Sequence, residues 1–106
     1  MLEHAAGDAE HVKEMITIYN NEMPIYLNDL NMFAAEQNWK EVSRQAHKIK
    51  SPAAVFGLLK LKTILNEIEA DAKSNIDSTR LNELIKTANS LCLVSIEELK
   101  LELAKL

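Results

Sequence analysis

Arg44-Gln45-Ala46-His47-Lys48-Ile49-Lys50-Ser51-Pro52-Ala53-Ala54-Val55-Phe56-Gly57 is the segment on which the reading of the whole chain turns. With Trp39 and Val42 ahead of it, Ala46, Ile49, Ala53 and Phe56 recur at spacings of three and four, the period of one buried helix face. At ~100° per residue that stripe centres between Ala53 and Val42, and His47 falls roughly 130° from the centre. The imidazole is therefore expected in solvent. Its neighbours one turn away are Ser43, Arg44, Lys50 and Ser51, and Lys40 and Ala54 lie two turns away. An exposed histidine thus stands among small side chains and cations, with no acid on its own face. A packed core histidine would sit in the stripe instead.

Working outward, the 106 residues suit one domain spanning 1–106, long enough to bury roughly two-thirds of its unfolded surface. Hydrophobic residues make up 47%, and only two glycines and two prolines interrupt long periodic segments, so the class is all-α. A net charge of −4 argues against a nucleic-acid footprint, which needs a basic excess. No apolar run approaches membrane-span length and no signal peptide is visible, so a cytoplasmic location is expected. The single cysteine, Cys92, excludes an internal disulfide, and its neighbours Leu91, Leu93 and Val94 mark it as a buried structural thiol.

Residues 1–7 read as a lead-in and Asp8 as the cap of a first helix, with Glu10 and Glu14 suited to its positive end. The apolar series Val12, Met15, Ile16, Tyr19, Met23, Tyr26, Leu27, Leu30 and Phe33 keeps helical spacing to about Gln37. Pro24 interrupts that series without shifting its phase, which predicts either two helices or one bent helix meeting near Asn21–Pro24. His4 and His11 lie near Glu3, Asp8 and Glu10, but nothing there fixes the tetrahedral geometry zinc wants, so no metal is expected. Trp39 begins the next helix and Gly57 ends it, in the place of a left-handed cap.

Leu58, Leu61, Leu65, Ile68 and Ala72 form a new stripe to about Lys73. Folding this helix back about the Gly57–Leu58 turn brings His47 level with about Glu69, each just off its own stripe. A carboxylate there can accept the Nδ1 proton of His47 and leave Nε2 free, or it can remain one more solvated acid. Asp77 caps a last helix whose face is Leu81, Leu84, Ile85, Ala88, Leu91, Cys92, Ser95, Leu99 and Leu103. The segments predict an antiparallel up-down-up-down four-helix bundle with an extra or bent helix on its N-terminal side.

Ala46-His47-x-Ile49-Lys50, a glycine ten residues past the histidine, Leu61 and the pair Ile68-Glu69 resemble the pattern of histidine-phosphotransfer (HPt) domains of multistep phosphorelays. That pattern reads A-H-x-L-K-G, then a glycine, a leucine and a closing L-E. Gly7-Asp8 fits the usual opening, so the resemblance covers nearly the whole chain. It implies His47 as phosphoacceptor, Lys50 as the assisting charge, and Glu69 at a position that can hold a group hydrogen-bonded to the imidazole. It also implies partners: receiver domains of response regulators or of a hybrid sensor kinase, which bring their own Mg²⁺ and aspartate. The chain itself is expected to need no cofactor, to lack an ATP site, and to act as a monomer without nucleic acid or membrane insertion. Ser43, Arg44, Lys48, Ser51 and Ala54 are the expected partner-facing residues, the small ones leaving room for the receiver to approach.

Two departures stand out. Ser51 replaces the pattern's glycine, and Pro52 follows it inside the helix, which predicts a continuous but kinked helix. The competing class is a helical adaptor in which His47 has no chemistry, and labelling by a phosphorylated receiver separates the two. A lipid-binding amphipathic helix would need basic polar faces, against the net charge.

Overall fold

The computed structural model describes residues 9–74 and 77–106. It contains four helices, α1 (Ala9–Ala35), α2 (Trp39–Val55), α3 (Leu59–Ser74) and α4 (Ser78–Lys105). Each packs on the next and α4 closes the ring on α1, giving a four-helix bundle of 47 × 20 × 18 Å. The core is built from the stripes the sequence shows. Val12, Ile16, Tyr19, Met23, Leu27 and Leu30 come from α1, and Val42, Ala46, Ile49 and Ala53 from α2. Leu61, Leu65, Ile68 and Ala72 come from α3, and Leu81, Ile85, Ala88, Cys92, Ile96 and Leu99 from α4. Each large side chain so buried stabilises the fold by about 1.5–3 kcal/mol. Burial pushes the Cys92 thiol up to about 12, so it is an unreactive packing group.

α1 is one continuous helix with Pro24 inside it, which corrects the two-helix alternative. The proline ring is exposed, while Met23 and Leu27 on either side of it are buried and hold the helix in register across the missing N–H. The Asp8 cap, the lead-in and His4 lie outside the described residues. α2 likewise runs unbroken through Pro52, with Ile49 and Ala53 fully buried before and after it.

α1 and α2 stop by the same device. Leu58 N–H donates to the Ala53 carbonyl and Gly57 N–H to that of Ala54, with Gly57 at φ 67°. Asn38 N–H donates to Phe33 and Gln37 N–H to Ala34, with Gln37 at φ 57°. Both are left-handed caps that satisfy the last carbonyls, and glycine fills only one of them. Asp77 accepts from the N–H groups of Thr79 and Arg80 at the start of α4, as its sequence position predicts. Among the described residues no helix is long and apolar enough to cross a membrane.

Candidate functional site

His47 sits on the solvent side of α2 with 69% of its side chain exposed. The turn at Gly57 brings α3 back alongside α2, and Glu69 arrives level with His47. Its Oε2 lies 3.2 Å from His47 Nδ1, and its Oε1 lies 2.7 Å from Lys50 Nζ. Lys73, one turn further along α3, reaches Oε2 at 3.4 Å. The backbone under this cluster is fixed too, because the Ser43 hydroxyl donates to the Glu69 carbonyl at 3.2 Å.

Glu69 is only 15% exposed, and the Lys50 ammonium beside it holds its carboxyl below the usual range, against the opposing effect of burial. The group is therefore ionised at neutral pH and can only accept hydrogen bonds. The shared proton must then belong to His47 Nδ1. In the neutral ring this leaves the lone pair on Nε2, for which no hydrogen-bond partner is found among the described residues. Glu69 is thus not one more solvated acid. Its carboxylate bridges the imidazole and the nearest cation.

The expected partner-facing residues divide. Arg44, Lys48, Ser51 and Ala54 are exposed on α2. Ser43 is buried and committed to the α2–α3 seam, which corrects its expected place on the docking surface. Arg44 pairs with Glu41 at 3.1 Å, and the Lys48 ammonium lies 5.0 Å from the centre of the Tyr26 ring. Lys50, the expected assisting charge, is 22% exposed and bound to Glu69. Lys73 and Tyr26 were not anticipated. Lys73 was legible as the residue one turn past Glu69, whereas the Lys48–Tyr26 contact crosses between helices and has no local signal.

Beside the site, α1 and α2 leave an apolar groove of about 230 Å³ walled by Met15, Tyr26, Pro52, Val55 and Phe56 among others. The surface around His47 therefore combines cations, small side chains and a hydrophobic edge. The family model described as Hpt domain matches residues 14–106, which takes in the whole of this site. No curated protein and no solved structure matches the chain significantly.

Proposed function

We propose a residue-level course for the reaction of this chain, which belongs to the Hpt domain family and is thereby a phosphotransfer module of a phosphorelay, without an ATP site of its own. In this reading a receiver domain carrying an aspartyl phosphate docks over the α2 face. The Nε2 lone pair of His47 attacks phosphorus in line, the N–P bond forms, and the O–P bond breaks with its electron pair returning to the receiver's carboxylate. The Nδ1 proton stays where it is. The ring consequently gains positive charge as the bond forms, and Glu69, 3.2 Å away, is placed to stabilise it.

A carboxylate this close would also repel the incoming phosphoryl group. Lys50 at 2.7 Å and Lys73 at 3.4 Å offset that charge, so the cluster as a whole is cationic. Lys50 is the nearer and less exposed of the two, and the better placed to turn toward phosphoryl oxygens. Transfer to a second receiver runs the same steps in reverse. Arg44, Lys48, Ser51 and Ala54, together with the apolar groove, supply the docking surface for a receiver whose aspartate pocket is acidic and carries its own Mg²⁺.

The observation that carries this reading is the hydrogen bond from His47 Nδ1 to Glu69 with Nε2 left in solvent. The test is long-range ¹H–¹⁵N NMR on the protein before and after incubation with a receiver charged by acetyl phosphate. The expected result is a proton on Nδ1 before, and phosphorus on Nε2 after. Phosphorus on Nδ1, or an Nε2-protonated ring in the free protein, would contradict it.

A further inference from the structure

Lys50 is held 2.7 Å from Glu69 Oε1 and is only 22% exposed, so turning it toward a phosphoryl group at His47 Nε2 opens that contact. Glu69, itself 15% exposed, then loses its closest cation. A largely buried carboxylate without a counter-charge is costly. His47 cannot fill the gap at that moment, because its ring gains positive charge only as the N–P bond forms.

Lys73 is already in place. It sits one turn past Glu69 on α3, in the Glu-to-Lys order that suits a helix, with its Nζ 3.4 Å from Glu69 Oε2. The same oxygen takes the His47 Nδ1 proton at 3.2 Å. Two long contacts therefore share one oxygen, while the short Lys50 contact occupies the other. The Lys73 side chain is 69% exposed, so it is free to shift from one oxygen of the carboxylate to the other. Two other cations beside His47 are engaged elsewhere, Arg44 with Glu41 at 3.1 Å and Lys48 over the Tyr26 ring.

We infer that Lys73 is a positioning residue for transfer, taking over as the counter-ion of Glu69 when Lys50 turns to the phosphoryl group. In moving to Oε1 it also leaves Oε2 to the His47 proton. The inference rests on the reaction course proposed above, and in it Lys73 touches neither phosphorus nor receiver but acts through Glu69. A lysine acting directly on the phosphoryl group would need no carboxylate, and an ordinary exposed ion pair would not move the rate.

The test has two arms. In the first, the Glu69 carboxyl is titrated by ¹³C NMR in the native chain, in Lys50→Ala, in Lys73→Met and in the double variant. Glu69 should stay below the usual carboxylate range in Lys50→Ala, where Lys73 has taken over, and rise into or above that range only in the double variant. A rise in Lys50→Ala equal to that in the double variant would overturn the inference. In the second arm, single-turnover acceptance is measured from a phosphorylated receiver. Lys73→Met should slow it by about threefold to tenfold, and Lys73→Arg should restore most of the rate. In a Glu69→Gln background the same Lys73→Met change should alter the rate by less than about twofold. An equal factor in both backgrounds would make Lys73 a direct or docking charge, and no slowing in the native chain would leave it without a role in transfer. Either result overturns the inference. No label on His47 of the native chain would overturn the reaction course itself and the inference with it, a failure told apart by the missing label.

Discussion

Glu69 holds two lysines and the His47 imidazole with one carboxylate, and the consequences differ for each of them. Lys50 is the closest, so Lys50→Ala should slow acceptance from a phosphorylated receiver by roughly 10- to 100-fold through loss of one positioned charge. It should also cost about 1 kcal/mol of stability, more than an ordinary surface change, because it removes the main partner of a largely buried carboxylate. Chemical denaturation and single-turnover transfer measure the two effects separately. Because the Lys50 contact lowers the Glu69 ionisation below its ordinary 4.5, the cluster stabilises the fold fully above that pH. That contribution is lost as pH falls from about 4.5 through the lowered folded value. A Glu69→Gln variant should show a flatter loss of stability over that acid range in denaturant titrations, and an identical profile would remove Glu69 from the acid response. The sequence made His47 legible as exposed and Glu69 legible as level with it, because helix period and distance from a turn fix both. It hid the burial of Ser43 and Lys50. A helical wheel places them 70–90° from the stripe, and whether such flanking positions see water depends on which side the next helix packs. α3 packs on theirs.

The helices themselves were the most legible feature, and their ends the least. Gly57 announced the stop of α2, because only glycine adopts a positive φ without steric cost. The stop of α1 has the same hydrogen-bond pattern around Gln37, a residue that gives no such signal. Its left-handed backbone is held by the Asn38-to-Phe33 and Gln37-to-Ala34 bonds despite a steric penalty. Gln37→Gly should therefore relieve that penalty and raise stability by about 0.5–1 kcal/mol, read as a higher denaturation midpoint with unchanged slope. No gain would mean that the glutamine conformation is compensated by contacts of its side chain. Pro24 and Pro52 were both legible as interruptions, and the unbroken phase of the apolar face already predicted a continuous helix through Pro52 and allowed one through Pro24. In both helices a buried apolar residue on either side of the proline keeps the face continuous, so packing overrides the lost backbone bond.

At the scale of the molecule, the bundle is closed by a buried polar contact that no periodicity announces. Tyr19 of α1 meets Ser95 of α4 at 2.6 Å, and the Ser95 hydroxyl donates to the Cys92 carbonyl, so the tyrosine hydroxyl is the donor to Ser95. The same ring packs edge-on against Phe56 at the α2–α3 turn, with centroids 5.2 Å apart. Tyr19→Phe keeps the ring and removes one buried hydrogen bond, which should cost about 1 kcal/mol in chemical denaturation while leaving phosphotransfer rates unaltered. A loss of transfer without a loss of stability would instead tie this contact to the docking surface. The bundle presents His47 on a helix whose other side is locked into the core, so the nitrogen proposed to react is positioned by the whole fold rather than by a loop. The central claim is that His47 accepts the phosphoryl group. It is tested most directly by incubating the wild-type chain and His47→Gln with a receiver domain charged by labelled acetyl phosphate. Acid-labile, base-stable label should appear on the wild type, map to His47 by tandem mass spectrometry, and be absent from a normally folded His47→Gln. Label retained in that variant, or mapped to His11 in the wild type, would contradict the account.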